Sequence, residues 1–188
     1  AWIERTGVIL NRAVAAAGAS QFRARAKEAA RILVRDSGIV QGDSDGVSAS
    51  VTDSGQIHMT NLTVADHSNT GLRLGIYELG KISLYNTISF DNLVNLEAPA
   101  KLDDGANLIG VDPLFIDPDN LDYHLSSGSP AVDTGDNNPP AGLGAADYAG
   151  TPRIVNGIVD IGMYEGIDVI FGDGFESGDC RFWPSVAP

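Results

Sequence analysis

The sequence predicts an all-β fold, a parallel β-helix with coils of about 25 residues. The first observation is a repeat: residues 81 to 92 read KISLYNTISFDN, and residues 56 to 67, 25 positions earlier, read QIHMTNLTVADH. The second is that apolar residues alternate within each repeat, with the period of two expected of strands. The third is an Asn or Asp that recurs at one position of each repeat. A period of roughly 20 to 50 residues is typical of repeat architectures in which no unit buries its apolar side alone.

Two further repeats precede these, from Thr6 and from Arg31, so four rows share one register. In the first half of the rows, one column reads Asn11, Asp36, Asn61 and Asn86, and the column three places on reads Val14, Ile39, Val64 and Ser89. In the second half, the columns read Phe22, Val47 and Leu72, then Ala24, Ala49 and Leu74, then Ala26, Val51 and Ile76. The rows close at the small residues Ala30, Gly55 and Gly80. We therefore expect a solenoid with three short strands per coil.

The recurrent Asn or Asp is predicted to lie at the corner between the first and second strands of each coil. Short polar side chains tolerate the left-handed backbone conformation and bond local backbone groups, which suits a corner. Stacked amides at this corner would form a ladder along the solenoid axis. We expect Asn11, Asp36, Asn61 and Asn86 to stack along one edge.

Residues 12 to 33, RAVAAAGASQFRARAKEAARIL, leave two alternatives open. Their Ala, Arg, Lys and Glu content has high helix propensity, and an amphipathic helix could plug the first coil. However, FRARAK alternates from Phe22 to Lys27 in register with the later strands, and Gly18 interrupts the helical run. Tertiary context overrides propensity, so the strand is the favoured interpretation.

Composition and charge narrow the possible partners. The 188 residues are 43% hydrophobic, include 22 glycines, and contain no apolar run near the ~20 residues of a membrane span. Residues 1 to 101 hold ten acidic and ten basic side chains, whereas residues 102 to 188 hold fifteen acidic ones against Arg153 and Arg181. Nucleic acid is not an expected partner, since phosphate binding needs clustered Lys and Arg. We also expect further coils upstream, because the first row begins without a recognisable cap.

One strand face is predicted to be basic. If Phe22, Ala24 and Ala26 point inward, their alternating neighbours point outward, as do the equivalent residues of later rows. A fourth row would place Leu96, Ala98 and Ala100 inside, one residue out of strict register. The candidate carbohydrate-binding residues on this face are Arg23, Arg25, Lys27, Arg73, Tyr77 and Lys101. Arg forks would grip uronate carboxylates and Tyr77 would pack on a sugar ring; the alternative is a solvated face that keeps the sheet soluble.

The same face could support catalysis, although no motif marks a catalytic residue. A uronate lyase needs a cation to neutralise the carboxylate and a base to remove the adjacent proton. Arg73 is the candidate for the first role, and Lys27, Lys101 or Tyr77 for the second. A hydrolase needs two carboxylates across the scissile bond. Asp103 and Asp104 are adjacent acids but weak candidates for that pair.

No cofactor or metal ion is expected. GDSDG at residues 42 to 46 lacks the remaining ligands of an EF-hand, so a solenoid turn is the better interpretation. His58, His67 and His124 share no spacing typical of a metal site. Ca²⁺ is possible but not favoured, because the acidic residues of the C-terminal half are scattered between Pro and Gly.

The C-terminal half resembles a known family. DPLFIDPDNLDYHLSSGSPAVDTGDN (112 to 137) and DYAGTPRIVNGIVDIGMYE (147 to 165) resemble the C-terminal segment of bacterial secreted proteins with a choice-of-anchor Q domain, typically right-handed parallel β-helices. The resemblance implies that Pro113, Leu114, Phe115, Tyr123 and Leu125 pack across the last coil. It also implies that Asp133, Asp136, Asp160 and Glu165 bond turn backbone or Arg153. The final IFGDGFESGDCRFWPS resembles a tail of secreted proteins from some Gram-negative bacteria, from which Cys180 and Arg181 depart.

These observations predict β-helix coils over residues 1 to 105, a capping segment over 106 to 166 and a tail over 167 to 188. The expected function is a secreted or cell-surface module that binds acidic polysaccharide. A polysaccharide lyase acting on uronate-containing glycans and a purely structural stalk or adhesin remain as alternatives. The family resemblance implies no agreed reaction, so catalysis stays open.

Overall fold

The structure is a computed structural model that describes residues 2–3, 8–11, 14–15 and 22–166, with side chains from residue 22 onwards. It is an all-β solenoid of about three turns, as the sequence predicts. The strands are β1 (Trp2–Ile3), β2 (Val8–Asn11), β3 (Val14–Ala15), β4 (Phe22–Ala26), β5 (Arg31–Gly42), β6 (Val47–Val51), β7 (Gln56–His67), β8 (Thr70–Ile76), β9 (Lys81–Tyr85), β10 (Ile88–Phe90), β11 (Val94–Glu97), β12 (Asp103–Gly105), β13 (Leu108–Ile109), β14 (Phe115–Asp117) and β15 (Asp122–Leu125). A short 3-10 helix spans Pro118–Asn120.

The coils stack as two parallel sheets. The first sheet has the order β1-β4-β6-β8-β11. The second contains the long, bent strands β5 and β7, with β2 and β3 on one side and β9, β10, β12 and β13 on the other. Val47 of β6 pairs with Phe22 before it and Leu72 after it, so the predicted strand at Phe22 and the 25-residue step are both confirmed.

Three corners of each coil between residues 28 and 91 are marked by a residue with positive φ. These residues recur every 25 positions, with φ from 51° to 61°: Glu28, Asp53 and Glu78; Asp36, Asn61 and Asn86; Gln41, Asp66 and Asp91. Asn and Asp tolerate this left-handed conformation better than most residues, which explains their enrichment here. The predicted corner is therefore confirmed, and it is one of three.

The predicted amide ladder is wrong, because the corner amides bond a different part of the chain. Asn61 Nδ2 donates to the Asp160 carbonyl at 3.0 Å, and Asn86 Nδ2 donates to the Asp136 carbonyl at 2.9 Å. Bonds along the axis occur at another corner, where the Asp53 N–H donates to Glu78 Oε2 at 2.9 Å. Bonds to these backbone carbonyls are favoured over amide stacking, because each bond satisfies both the corner amide and a backbone acceptor of another segment.

The core lies between the two sheets and consists of alternating inward side chains. Its fully buried members include Ala24, Ala26, Ile32, Val47, Val51, Ile57, Met59, Leu62, Val64, Leu72 and Leu84. Burial of apolar area at roughly 25 cal/mol per Å² stabilises the stack, and each coil contributes because its inward residues contact those of the next coil.

The first step of the repeat differs from the prediction. Asn11 pairs with Arg35 and Val14 pairs with Gly38, a step of 24 residues, whereas the sequence alignment placed them opposite Asp36 and Ile39. A slip of one residue exchanges the two faces of a strand. The helix-or-strand alternative for residues 12–13 and 16–21 lies outside the described residues.

The last coil also departs from the prediction. Leu96 pairs with Leu72, which confirms the expected step of 24 residues, but β11 ends at Glu97. Ala98 and Ala100 are exposed, so their predicted inward positions are wrong. Pro99 accounts for the early end, since it lacks the N–H that a further ladder bond requires.

Residues 113–166, here called the C-terminal segment, cover one side of the solenoid across successive coils instead of packing on the last coil alone. Val40 and Ala65, which point outward from β5 and β7, contact Tyr123 and Met163. Farther along, Ile88 of β10 packs with a second group, Leu125, Ala131 and Ile161. Leu114, expected in this contact, is 42% exposed. The predicted tail, including Cys180 and Arg181, lies outside the described residues.

Candidate functional site

The outward side chains of β4, β6 and β8, with those of the adjoining corner and of β11, form a regular grid, here called the first-sheet face. Its columns are Arg23, Ser48, Arg73 and Glu97; Arg25, Ser50 and Gly75; and Lys27, Thr52 and Tyr77. The columns run along the solenoid axis, and coils in a column are ~4.8 Å apart. The coils of β4, β6 and β8 are here called the first, second and third coils. The face presents cations on the first coil, hydroxyls on the second and Arg73 with Tyr77 on the third.

Tyr77 provides an aromatic surface at one end of the grid. Its side chain is beside Gly75, where an added Cβ would lie 3.1 Å from the ring atom Cε2. The ring nevertheless remains 57% exposed. A glycine in the middle of a strand usually weakens it, and here its lack of a side chain allows the ring to approach the backbone. Tyr77 can thus pack against a flat, partly apolar ligand.

Arg73 is held by two carboxylates and a hydroxyl. Its Nε donates to Asp45 Oδ2 at 2.9 Å, its Nη2 to Thr70 Oγ1 at 2.8 Å, and its Nη1 to Glu97 Oε2. The hydrogen bond to Asp45 raises the pKa of Arg73 further above its usual value. Arg73 lies on the predicted face, but its planar fork already has carboxylate partners.

Asp45 is the member of the site that sequence reasoning missed. It belongs to GDSDG, interpreted as a turn, and it is indeed in the loop between β5 and β6. Besides Arg73, its Oδ1 accepts the Thr70 N–H at 3.3 Å, which fixes the carboxylate to the next coil. The available signal was spacing, because Asp45 stands 25 residues before Thr70, the period of the repeat.

The other predicted cations are distributed unevenly. Arg25 and Lys27 are exposed on the first coil, and Arg23 is half-buried beside them. Lys101 is not on the face: it follows the end of β11, and its Nζ donates to the Glu78 carbonyl at 3.1 Å. The structure therefore brings together the predicted residues of β4 and β8 and places Lys101 at a corner.

Acidic residues border the Lys27 column. Glu28, Asp53 and Glu78 occupy the adjacent corner of successive coils. Asp53 Oδ2 accepts the Glu28 N–H, and Glu78 Oε2 accepts the Asp53 N–H, so two of these carboxylates are used in backbone bonds along the axis. Positive charge is consequently concentrated on the first coil, whereas the third coil combines Arg73 with bound carboxylates.

A shallow groove of about 330 Å³ follows this face. It is lined by Arg25, Ser48, Ala49, Ser50, Arg73, Leu74, Gly75, Tyr77 and Glu97. A larger cavity, of about 530 Å³, is lined by residues of the C-terminal segment, including His124, Asp147 and Glu165. The Asp147 carboxylate there is already bonded, with Oδ1 accepting the Gly150 and Thr151 N–H groups at 2.7 Å. The groove is the better candidate because its hydroxyls and aromatic ring face solvent.

Carboxyl groups whose pKa is raised by burial hold the C-terminal segment in place. Buried Arg153 donates to Asp36 Oδ1 from Nε at 3.0 Å and to Glu165 Oε2 at 3.4 Å. Desolvation by burial and the charge of Asp160 raise the pKa of Glu165 to about 7, and desolvation also raises the pKa of Asp36. Of the four carboxylates named above for this role, those of Asp136, Asp160 and Glu165 bond turn backbone. Asp133 takes part through its N–H, which donates to Asp160 Oδ1 at 2.7 Å.

The histidines have separate surroundings. His58 Nδ1 is 2.7 Å from Ser83 Oγ, and buried His67 Nε2 is 3.0 Å from the Ile39 carbonyl. His124 pairs with Asp122 and stacks on Tyr164 with ring centroids 3.8 Å apart. Within the described ranges, no group of three or more His, Cys, Asp or Glu side chains is arranged to hold a metal ion.

The catalytic alternatives gain no geometric support. Asp103 and Asp104 are consecutive residues of β12, whose side chains alternate between the two sides of the strand, so they do not face each other across a bond. Asp103 Oδ1 instead accepts the Tyr85 hydroxyl at 2.8 Å. The lyase alternative requires a cation open to substrate, and Arg73 is bonded to Asp45 and Glu97.

Comparisons with known proteins make no assignment. No family model, curated protein or solved structure matches the chain. Among the residues that the structure describes, there is no helix of the length and apolarity needed to cross a membrane. A function must therefore be proposed from the chemistry of the first-sheet face.

Proposed function

We propose that this chain is an extracellular β-helix module that binds acidic polysaccharide along the first-sheet face. The observation that supports the proposal is the grid itself: Arg25 and Lys27 on one coil, hydroxyls on the next and an exposed Tyr77 on the third. Sugars are bound through such a combination, because their hydroxyls need polar partners and their C–H faces pack on aromatic rings. The secreted or cell-surface location belongs to the same proposal and follows from the family resemblance.

The spacing of the grid suits an extended chain that lies parallel to the axis. Lys27 and Tyr77 share a column and are two coils apart, about 10 Å along the axis. A ligand carboxylate at the first coil would then place a sugar ring farther along the same chain at Tyr77. The hydroxyl of Thr52, between these residues, is available for the linking part of the chain.

Retention on a uronate polymer is the direct test. We expect the protein to be retained on immobilised polygalacturonate at low salt and released as the ionic strength rises, because exposed charges are screened. Lys27→Ala and Tyr77→Ala should each weaken retention, the latter by about 2- to 10-fold, as for loss of one aromatic contact. An uncharged polysaccharide should be retained less.

Matched controls separate the face from general surface effects. Lys81→Ala removes an exposed lysine from β9, on the second sheet, and Leu93→Ala removes an apolar side chain that is 73% exposed at another corner. Neither should alter retention. If the wild-type protein passes through every acidic polymer at low salt, the stalk interpretation replaces this one. Release of unsaturated products would instead support the lyase alternative.

A further inference from the structure

The two carboxylates that hold Arg73 differ in how firmly they are fixed. The Asp45 side chain is 13% exposed, and Asp45 also accepts the Thr70 N–H, so it is anchored to the backbone. The Glu97 side chain is 58% exposed and belongs to β11, the last strand of its sheet. Within the part of the chain that the structure describes, the Glu97 carboxylate accepts its hydrogen bond from Arg73 Nη1. One partner of Arg73 is thus part of the fold, and the other is a long side chain at the rim.

The Glu97 carboxylate is bonded to Nη1, on the edge of the Arg73 guanidinium that faces the groove. Both residues line the groove, and the Arg73 side chain is 41% exposed. A guanidinium presents paired N–H groups whose geometry matches one carboxylate at a time on each edge. A ligand carboxylate that approaches Arg73 must therefore compete with Glu97, whereas Asp45 can stay in place on the opposite edge.

We infer that Glu97 is an internal competitor, a carboxylate of this chain that blocks Arg73 until a carboxylate of the ligand replaces it. The inference rests on the proposed function of the same face. Binding exchanges one carboxylate for another on Nη1, and Glu97 is released into solvent. Asp45 keeps Arg73 oriented throughout, so it acts as a positioning residue.

Removal of the competitor should strengthen binding. An exposed ion pair stabilises weakly, and an interaction of that size corresponds to a change of about 1.5- to 5-fold in a dissociation constant. Glu97→Gln should therefore bind polygalacturonate about 1.5- to 5-fold more tightly than the wild type. The same substitution on an Arg73→Ala background should give no gain beyond the general effect of removing one negative charge, because the blocked partner is then absent.

The matched control is Glu28→Gln, which removes the same charge from an exposed corner residue. Both variants make the net charge less negative by one unit, so any general electrostatic gain is common to them. Isothermal titration with polygalacturonate at low salt should show a gain for Glu97→Gln well above that for Glu28→Gln. Circular dichroism of each variant checks that the fold is unchanged.

The outcomes are distinct. If the wild type binds and Glu97→Gln binds no more tightly than Glu28→Gln, the inference that Glu97 competes for Arg73 is wrong. The proposed function then still stands. A gain above that of Glu28→Gln that persists on the Arg73→Ala background also overturns the inference, since Glu97 would then act elsewhere. If neither the wild type nor any variant binds an acidic polymer, the proposed function fails and this inference fails with it.

Discussion

Replacement of Arg153 by Met tests how the C-terminal segment is held. The Arg153 side chain is 1% exposed and donates to Asp36, Glu165 and the carbonyls of Gly162 and Met163. Methionine fills much of the volume but leaves buried carboxylates without a cation. Breaking a buried pair in this way costs roughly 3 to 5 kcal/mol of unfolding free energy. For a chain of this length, that loss lowers Tm by about 6 to 20 °C.

Urea unfolding followed by circular dichroism measures the loss, and limited proteolysis shows where it acts. We expect cleavage first within the C-terminal segment, while the core around Leu62 and Leu72 stays protected. The control Arg31→Met removes an exposed arginine from β5 and should change stability by less than about 0.5 kcal/mol.

A second substitution separates lost charge from lost packing. If the cost arises from the uncompensated carboxylate of Asp36, Asp36→Asn should restore part of the stability of Arg153→Met, and asparagine tolerates the φ of 51° at this corner. A loss below about 1 kcal/mol for Arg153→Met, or one equal to that of Arg31→Met, would refute the account of the junction. An Asp36→Asn change that adds to the loss would show that the charge is not its cause.

Three further predictions concern stability. The pKa of Glu165, raised from 4.5 to about 7, means that the folded protein retains a proton which the unfolded chain releases, so this contribution is complete below about pH 4.5 and is lost as pH rises through about 7. The free energy of unfolding measured with urea should therefore fall by up to about 3 kcal/mol between pH 5 and pH 8. Glu165→Gln should flatten this pH profile, and a flat profile for the wild type would contradict the prediction. Gly162→Ala should lower the free energy of unfolding by at least about 1 kcal/mol more than Gly142→Ala does. Both glycines have positive φ, but only at Gly162 would an added Cβ contact β10, 2.7 Å from Ile88 Cδ1. Equal Tm values for the two variants would show that packing at Gly162 is loose. Leu62→Ala should cost about 2 to 5 kcal/mol in urea unfolding, whereas Leu93→Ala should cost less than about 0.5 kcal/mol.

Much of the solenoid could be predicted because its information is local and repeated. Each coil contributes the same alternation, so an error in one row is corrected by the next, as in the column from Phe22 to Leu72. The left-handed corners follow from residue chemistry alone, since Asp36 and Asn61 suit that conformation. The prediction failed at two places, the step from β2 and β3 to β5 and the residues after Glu97. At each place the described strand pairs with a neighbour on one side, so fewer contacts fix its register.

The position of the C-terminal segment could not be predicted from spacing, because its contacts are distant in sequence. Arg153 and Asp36 are separated by 117 residues. A signal was nevertheless present on the solenoid: Val40, Ala65 and Phe90 recur every 25 positions on the outward side of their strands. Strands that are apolar on both sides are typical of sheets covered on both faces. This column indicates a covered side, which the structure fills with the C-terminal segment.

The candidate site also has one part that the repeat predicts and one part that it does not. The columns of the first-sheet face follow from the repeat, so Arg25, Ser50 and Tyr77 were placed correctly on one surface. The bonds of Arg73 to Asp45 and Glu97 did not follow, because Asp45 lies in a loop and the repeat does not fix which outward side chains bond one another. Side chains from loops and terminal coils decide which cations of a repeat are open to a ligand, and their positions depend on contacts outside the repeat.

The distribution of charge along the first-sheet face has a consequence for the direction of binding. Because cations dominate the first coil and Tyr77 occupies the third, the face has two unlike ends. A polysaccharide chain also has unlike ends, so the contacts that its carboxylates make with Lys27 and its rings make with Tyr77 differ between the two orientations. A surface that only kept the sheet soluble would not discriminate between orientations. Directional binding therefore distinguishes a ligand groove from a solvated face more sharply than affinity does, because salt-dependent attraction alone has no polarity.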